Sequence, residues 1–236
     1  MNMQMSKKRS PLSAGKRIVV KVGSGVLTKE NRLNIEIMAA ITDQICALHD
    51  RGIQVILVSS GAMASGLKKI GLERRPDELP QRQALSAVGQ AGLIMEYEKA
   101  FERHRLKAAQ ILLTSEDLSS RKRYLNARNT LNTLLDWKIV PIINENDTVS
   151  VEEIRLGDND NLAAMITLLM DADLLVILSD IDGLFTRDPR TEPDAELIPV
   201  VGAITKSTEK AAGSIPGPLG TGGMMSKISA ARKVNS

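Results

Sequence analysis

The chain has 236 residues, of which 43% are hydrophobic and 25% are charged, and its net charge is +3. This composition excludes a disordered polymer and supplies a sizeable core without disulfides or a structural metal. Aromatic residues make up only 2% of the chain, so a nucleic-acid surface built on base stacking has little material. We therefore expect a globular protein that binds no nucleic acid.

The cysteine content and the distribution of apolar residues bear on the cellular compartment. Cys46 is the only cysteine, which excludes an intramolecular disulfide and favours a reducing environment. No apolar run reaches the roughly 18 to 20 residues of a membrane span, and residues 1–12 lack the apolar core of a signal peptide. We expect a cytoplasmic protein without membrane association, with Cys46 in the core.

Residues 1–16 carry no structured pattern and are predicted to form a flexible tail, in which Met1, Met3 and Met5 leave the true start open. Basic residues cluster at 7–9 and at 121–123. We interpret both clusters as solvated, although the second is also compatible with the border of an anion site.

Short apolar runs rich in β-branched residues predict the strands. They cover residues 17–22, 53–58, 108–113, 139–143 and 174–178. Both faces of each run are apolar, which is typical of central strands in a parallel sheet covered by helices on both sides.

Helical patterns lie between these runs. One repeats at three- and four-residue spacing through Ile35, Met38, Ile41, Ile45 and Leu48, and a looser one runs through Leu125, Leu131, Leu134 and Leu135. Gly52 is a C-terminal stop for the first helix. Alternating strands and helices predict an α/β protein, a three-layer α/β/α sandwich with a mainly parallel central sheet.

Two segments and the end of the chain depart from this alternation. Residues 149–155 and the proline-containing residues 184–201 are predicted to form hairpins or loops. The last helix starts at about Met225 and ends with the chain at Ser236. We therefore expect residues 17–236 to form one domain that stops before its closing strand and helix.

Glycine-rich or polar patches follow the predicted strands at their carboxyl ends, where open α/β sheets bind ligands. The first is residues 21–25 (KVGSG), in which glycines allow close approach to a phosphate and Lys21 supplies a charge. A plain tight turn is the alternative. The third glycine and the helix-opening context of the dinucleotide fingerprint are absent, and so is a Walker A pattern.

The second patch, residues 59–66 (SSGAMASG), follows the second strand and is predicted to open a helix. Backbone N–H groups at a helix start suit an anionic group. The alternative is a capped helix whose small residues serve only close packing.

The third and fourth patches are residues 144–148 (NENDT) and 157–161 (GDNDN), both dense in hydrogen-bonding groups. Surface turns are the alternative interpretation. Their carboxylates do not have the spacing of an EF-hand loop, and zinc is disfavoured because His49 and His104 are isolated on predicted helices.

The fifth patch pairs Ser179 and Asp180 with the distal loop at residues 220–227 (GTGGMMSK). This loop is suited to close over a nucleotide while Lys227 reaches the transferring phosphate. Two lysines, a carboxylate cluster and glycine loops favour phosphoryl transfer, which depends mostly on positioning and charge stabilisation. No histidine lies in a motif, which fits an acceptor that is already ionised.

In this order, the patches resemble the amino acid kinase family, and the resemblance runs from Arg17 to the end of the chain. Within the family, residues 60–62, 144–147, 157–160 and 220–224 resemble the branch that phosphorylates glutamate. The resemblance implies ATP-dependent phosphorylation of the γ-carboxylate of L-glutamate to L-glutamyl 5-phosphate, the first step of proline biosynthesis.

The resemblance also implies residue roles. Lys21 and Lys227 would stabilise charge on the transferring phosphoryl group, and Asp160 would orient both lysines. The residues implied for glutamate are Ser60, Gly61, Ala62, Asp147 and Asn159. Those implied for ATP are Lys21, Gly23, Ser24, Ser179, Asp180, Thr221, Gly222, Gly223, Met224 and Lys227. Mg²⁺ would be held mainly through the ATP phosphates, with no metal ligands supplied by the protein.

Further implications of the resemblance concern partners. Family members of this kind are inhibited by proline at the glutamate site, pass their product to glutamyl phosphate reductase and form dimers or tetramers. Many continue into a PUA domain, which is absent from residues 1–236. Residues 76–80, which contain two prolines, are a further candidate for shaping the glutamate pocket.

Alternatives remain open at this point. Kinases of acetylglutamate, aspartate and uridine monophosphate share the fold, and their acceptor-binding segments are expected to differ from residues 144–147 and 157–160. A non-catalytic domain that binds a nucleotide or an amino acid is an alternative from another class. The presence of Lys21, Asp160 and Lys227 favours catalysis, and ADP release that depends on glutamate distinguishes the two classes.

Overall fold

The structure is a computed structural model that describes residues 15–150, 159–213 and 223–235. Its strands are β1 (Arg17–Val22), β2 (Thr28–Lys29), β3 (Arg32–Leu33), β4 (Gln54–Ser59), β5 (Lys107–Leu113), β6 (Ile139–Glu145) and β7 (Leu174–Leu178). Its helices are α1 (Ser24–Leu27), α2 (Ile35–Asp50), α3 (Ala62–Ile70), α4 (Leu79–Glu102), α5 (Ser115–Ser119), α6 (Arg121–Asp136), α7 (Asn159–Leu169), α8 (Lys206–Ala212) and α9 (Met224–Val234).

Five of these strands form a sheet in the order β5-β6-β4-β1-β7, and all its pairings are parallel. The two remaining strands, β2 and β3, pair as a short antiparallel hairpin outside it. All five predicted strands are confirmed, with bounds within two residues. Because the pairings are parallel, the carboxyl ends of β1, β4, β6 and β7 meet at one edge of the sheet.

The sheet separates two apolar cores, which confirms the predicted three layers. On β4, Val55 and Leu57 point into one core, while Ile56 and Val58 point into the other. Helices α2 and α4 cover the first face, and α6 and α7 cover the second. Strands buried on both faces must be apolar throughout, which is the pattern seen in the sequence.

Helix α2 forms as predicted. The Asn34 side chain caps its start by accepting from the Ile37 N–H at 3.2 Å, and Gly52 follows its end with a φ of 77°, a left-handed conformation that glycine adopts without strain. Met38 and Cys46 on its inner face are buried. The prediction that Cys46 lies in the core is confirmed.

The inner face of α6 differs from the prediction. Leu125 is 44% exposed, whereas Tyr124 and Ala127 pack against the core that contains Leu131 and Leu135. Residues at spacings of three and four share a helix face, and counting back from Leu135 and Leu131 reaches Ala127 and Tyr124. Leu125 lies one position off this stripe, so the predicted pattern through Leu125 does not follow the buried face of the helix.

Helix α4 is 24 residues long and was not predicted. It packs against α3, α2 and β5, so its buried residues lie on several sides and give no single apolar stripe. Its crossing with α3 is a backbone contact: a Cβ added at Gly89 would lie 1.8 Å from the Ala62 carbonyl oxygen, and one at Gly66 would lie 2.0 Å from that of Leu85. Small residues on both helices are therefore required by packing.

The loops agree with the prediction where they are described. Phe185 and Leu197 form an antiparallel bridge, and the Ile198 N–H donates to the Leu184 carbonyl at 2.7 Å, so residues 184–201 contain a hairpin-like turn. Residues 151–155 of the other predicted loop lie outside the described residues. None of the described helices is long and apolar enough to cross a membrane.

Candidate active site

Three charged side chains from distant parts of the chain meet at the carboxyl edge of the sheet. Asp160, near the start of α7, lies 2.5 Å from Lys21 Nζ through Oδ1 and 3.2 Å from Lys227 Nζ through Oδ2. Lys21 is the fifth residue of β1, and Lys227 lies in the first turn of α9. The sequence prediction placed these three residues in one site, and the structure brings them together.

Asp160 is only 1% exposed, so its ionisation depends on its partners. Burial alone would raise the pKa of this carboxyl, but the charges of Lys21 and Lys227 and the hydrogen bonds from Lys21 and Ser226 lower it below the usual value. Ser226 Oγ donates to Asp160 Oδ2 at 2.6 Å, a contact that the sequence reasoning missed. Asp160 is therefore ionised and holds two ammonium groups close together.

Beside this cluster, Asn159 ties three elements together. Its Nδ2 lies 2.9 Å from Ser60 Oγ, 3.0 Å from Asn144 Oδ1 and 3.2 Å from the Ser59 carbonyl oxygen. Asn159 Oδ1 is buried and takes no hydrogen bond from the described residues. An amide oxygen left in this state is suited to accept a hydrogen bond from a ligand.

Helix α3 opens next to Asn159 and presents its N-terminus to the same edge. No side chain caps it, and Gly61 before it has a φ of 108°, which only glycine adopts readily. The other side of Gly61 is closed by Leu33, whose Cδ2 would lie 3.0 Å from an added Cβ. The first N–H groups of α3 are therefore available for an anionic ligand.

Asp147 lies in the turn after β6 and is half-buried. Loss of water around it raises its pKa to about 6, and the nearby Ser86 hydroxyl, which is not within hydrogen-bonding geometry, lowers it only in part. Gln83, one turn from Ser86 on α4, donates to the Ser150 carbonyl at 3.2 Å. Both α4 contacts were missed with the helix itself, although the proline-containing residues 76–80 had marked the neighbourhood of its start.

A cleft of about 1060 Å³ adjoins the lysine pair on the other side. Ser179, Asp180, Gly223, Met224 and Lys227 are among the residues that line it. Residues 181–192 and parts of α8 form the rest of its wall.

Gly23 and Gly25 keep the backbone open between the cleft and Lys21. A Cβ at Gly25 would lie 3.0 Å from the Asp180 carboxyl group, and one at Gly23 would lie 3.5 Å from Lys21 Nζ. Contrary to the prediction, a helical context does exist here, because one turn of helix opens at Ser24. Side chains at either glycine would take space beside the charged groups.

The predicted site residues thus fall into two groups around the lysine pair. Ser60, Gly61, Ala62, Asp147 and Asn159 lie on or beside the ends of β4 and β6. The group at the cleft contains Ser179, Asp180, Gly223, Met224 and Lys227, with Gly23 and Ser24 at the end of β1. Thr221 and Gly222 lie outside the described residues. Asn144 joins the first group although it was predicted only as part of its patch.

Metal-ligand side chains do not gather elsewhere in the part of the chain that the structure describes. No group of three or more His, Cys, Asp or Glu residues there could hold a metal ion. His104 lies in the turn after α4, not on a helix as predicted, and its Nε2 is 2.7 Å from Asp43 Oδ1. His49 lies near the end of α2 as expected.

The structure thus has a parallel sheet with two lysines on one aspartate at its carboxyl edge, between a cleft and a helix N-terminus. The chain belongs to the amino acid kinase family, whose model matches residues 16–236.

Individual relatives show which branch of the family the chain resembles. The chain is 55% identical over 223 residues to the glutamate 5-kinase of Geobacter sulfurreducens, with 94% of this chain and 60% of the relative covered. It is 53% identical over 230 residues to the glutamate 5-kinase of Meiothermus ruber, which covers 97% of this chain and 60% of the relative. The chain spans about 60% of the length of the curated relatives it matches.

Proposed function

We propose that this chain is the catalytic domain of a glutamate 5-kinase, which transfers the γ-phosphoryl group of ATP to the γ-carboxylate of L-glutamate. The observation that carries the proposal is the Lys21–Asp160–Lys227 cluster, which lies between a nucleotide-sized cleft and a buried hydrogen-bonding network. The names of the relatives support the same activity.

The two lysines supply the charge stabilisation that phosphoryl transfer requires. In the transition state, negative charge is spread over the equatorial oxygens of the transferring group. Lys21 and Lys227 are held in place by ionised Asp160, so they need little reorganisation when that charge develops. A glutamate side chain is ionised at neutral pH, so the acceptor needs no general base.

Glutamate binds on the side of β4, β6 and α7 in this proposal. Asp147 pairs with the α-ammonium group, and the N–H groups of Gly61 and Ala62 face a carboxylate. Ser60 and Asn159 lie between these two positions and form hydrogen bonds with the substrate there. The support for these roles is the open N-terminus of α3 and the buried free oxygen of Asn159.

ATP occupies the cleft in this proposal. Ser179, Asp180 and Met224 contact the nucleotide together with Thr221 and Gly222, and the glycine-lined turn at residues 23–25 leaves room for the phosphates. Mg²⁺ bound to those phosphates would neutralise part of their charge.

The first test is an acceptor survey. Turnover of ATP with magnesium is measured with glutamate, aspartate, N-acetylglutamate and uridine monophosphate, and hydroxylamine traps any acyl phosphate. Hydroxamate formed with glutamate alone supports the proposal. Turnover with another acceptor would assign the chain to a different kinase, and glutamate binding without ADP release in a folded sample would identify a non-catalytic binding domain.

Three partner assignments rest on the resemblance and stay predictions. Added proline is expected to suppress the glutamate reaction by competing with glutamate. The labile product is expected to pass to glutamyl phosphate reductase. Sedimentation of the chain is expected to give a dimer or a tetramer.

The role of Lys227 has its own test. Lys227→Ala is expected to lower kcat by about 10²- to 10³-fold with a change in the glutamate KM below about threefold, because the charge acts mainly on the transition state. Lys233→Ala on the same helix is the matched control, since Lys233 contacts Asn161 and not Asp160. Equal losses in kcat and in glutamate affinity would contradict this role.

A further inference from the structure

Tyr97 carries a hydroxyl group into the apolar core beneath the candidate glutamate site. The residue lies on α4, is fully buried and stacks on Phe101 with ring centroids 6.5 Å apart. A buried phenol needs a hydrogen-bond partner to replace water. Ser59, the last residue of β4, is that partner, with its Oγ 2.9 Å from the Tyr97 hydroxyl oxygen.

The direction of donation follows from counting protons. Ser59 Oγ also lies 3.0 Å from the carbonyl oxygen of Ser60. A carbonyl can only accept, so Ser59 donates its single proton there. Both contacts of Ser59 are hydrogen bonds at once only if Tyr97 donates to Ser59. Burial raises the pKa of the Tyr97 phenol, so the donor keeps its proton across the pH range of any assay.

The end of this chain of hydrogen bonds fixes one peptide group. The peptide between Ser60 and Gly61 is trans and planar, so its N–H points opposite to its carbonyl. Gly61 can adopt positive or negative φ with similar ease, and its own preference therefore does not select the orientation. The hydrogen bond from Ser59 to the Ser60 carbonyl does select it, and the Gly61 N–H is turned away from the core.

The described residues supply no acceptor for the Gly61 N–H. It lies beside the uncapped start of α3 and next to Ser60, whose Oγ accepts from Asn159 at 2.9 Å. The peptide is thus held on its carbonyl side by the core and on its serine side by α7. Its N–H is left for a ligand at the carboxyl edge of the sheet.

We infer that Tyr97 is a positioning residue: through the Ser59 hydroxyl it holds the Ser60–Gly61 peptide with its N–H directed at the acceptor carboxylate. The inference deepens the proposed function and rests on it for the identity of the ligand. Tyr97 itself touches no substrate, and its effect passes only through Ser59.

Kinetics test the serial arrangement. We expect Tyr97→Phe to raise the glutamate KM about threefold to fivefold and Ser59→Ala to raise it about tenfold, with the ATP KM changed less than twofold. Because Tyr97 acts through Ser59, the double variant should equal Ser59→Ala alone. Ser59→Thr keeps the hydroxyl and should restore most of the glutamate affinity. Additive effects would overturn the serial arrangement.

Phe101→Leu is the matched control for a purely structural role. Phe101 is fully buried beside Tyr97 but carries no hydroxyl group. Its substitution should lower the melting temperature while leaving the glutamate KM within twofold of the wild-type value. A rise in glutamate KM equal to that of Tyr97→Phe would overturn the inference, because core packing alone would then explain both.

Peptide orientation can be read without any turnover. Serine labelled with ¹³C at the carbonyl and glycine labelled with ¹⁵N select Ser–Gly pairs, which occur in this chain only at Gly25, Gly61 and Gly66. Tyr97→Phe should shift or split the Gly61 amide signal and leave that of Gly25 unchanged. An unchanged Gly61 signal would overturn the inference even if the enzyme is active. A shifted signal in a protein without glutamate turnover would uphold the positioning and reject the proposed acceptor.

Discussion

The two sides of the candidate site are built differently. On the proposed acceptor side, where glutamate would bind, Ser59, Asn144 and Asn159 are buried at the ends of strands and a helix and bond to one another. On the proposed donor side, the loop between β7 and α8 carries exposed ion pairs such as Arg187 with Asp194. The proposed acceptor side is therefore preorganised by buried hydrogen bonds, whereas the ion pairs of the proposed donor side are exposed to screening by water.

This difference determines where substitutions should act. A buried hydrogen-bonded group contributes to both stability and geometry, because an unpaired partner is left behind when the group is removed. An exposed ion pair is screened by water and contributes little. The Lys21–Asp160–Lys227 cluster joins the two sides and has the burial of the first.

The largest effect is expected from Asp160→Asn, which removes the carboxylate that pairs with both Lys21 and Lys227. Lys21 is 5% exposed and would lose its counter-charge, so unfolding should become easier by about 3–5 kcal/mol. Turnover should fall by about 10³-fold or more, because both lysines lose their common anchor. Urea unfolding and the hydroxamate assay measure the two effects.

The pH dependence of this variant checks the cause. The pKa of Asp160 is lowered in the folded state, so its contribution to stability is present above the unfolded carboxyl pKa of about 4 and is lost as pH falls through the folded value. The gap between wild type and variant should therefore narrow below about pH 4. Asp171→Asn, at an exposed pair with Arg128, should change stability by less than about 1 kcal/mol. A similar loss of stability in both variants would mean that burial does not make the Asp160 ion pairs stronger than the exposed pair of Asp171.

A steric substitution tests preorganisation of the acceptor side from a distance. Gly89→Ala places a Cβ 1.8 Å from the Ala62 carbonyl oxygen, so α3 and α4 must move apart. We expect a loss of about 3 kcal/mol in stability and a larger rise in the glutamate KM than in the ATP KM, since α3 begins at the acceptor side. Thermal unfolding and steady-state kinetics measure these changes.

Gly52→Ala is the control for this substitution. Gly52 has a φ of 77° and nothing within 4 Å of an added Cβ, so only backbone strain of about 1 kcal/mol is expected there. Neither KM should change. Equal effects of the two substitutions on the glutamate KM would show that the α3–α4 crossing does not hold the acceptor side.

The sequence predicts the sheet and the Lys21–Asp160–Lys227 cluster better than it predicts the helices. Strands β1 and β4 are apolar on both faces because helices cover both, and Lys21 stands out as a charged residue in such a strand. Helix α4 escaped prediction because it packs on three neighbours and shows no single stripe. The contacts of Ser86 and Gln83 were missed for the same reason, because both residues lie on that helix.

Single contacts across the chain are a second kind of information that a sequence pattern does not contain. The Ser226 contact with Asp160 and the Tyr97 contact with Ser59 join residues 66 and 38 positions apart. Nothing in the local sequence of either partner specifies the other, because tertiary packing decides which side chains meet. Patches predicted from strand ends could name candidate site residues, but not the hydrogen bonds between them.

A smaller effect with a distinctive sign is expected at Asp147. Its pKa is raised to about 6, so the folded state favours the protonated form: the associated stability is present below pH 4 and is lost as pH rises through about 6. Asp147→Asn should therefore make the free protein more stable by about 1–2 kcal/mol at pH 8 and by nothing at pH 4. Urea titrations at the two pH values measure this difference.

The same variant separates stability from function on the acceptor side. If Asp147 pairs with the ammonium group of glutamate, Asp147→Asn should raise the glutamate KM about tenfold or more while the protein becomes harder to unfold. A variant that is less stable at pH 8 would contradict the desolvation of this carboxyl. Unchanged glutamate affinity would remove Asp147 from the proposed pocket.

The smallest effect on stability is expected on the donor side, at an exposed ion pair. Arg187 is 59% exposed and pairs with Asp194 at 2.9 Å, so Arg187→Ala should change stability by no more than about 0.5 kcal/mol. Arg17→Ala is the contrasting arginine, since its guanidinium donates to the Met170 carbonyl at 2.6 Å and to Gln54 at 2.9 Å across the sheet. That substitution should lower stability by about 1–2 kcal/mol. A loss of stability at Arg187 as large as that at Arg17 would contradict this comparison. It would mean that exposed ion pairs stabilise the donor loop as strongly as the hydrogen bonds of Arg17 stabilise the sheet.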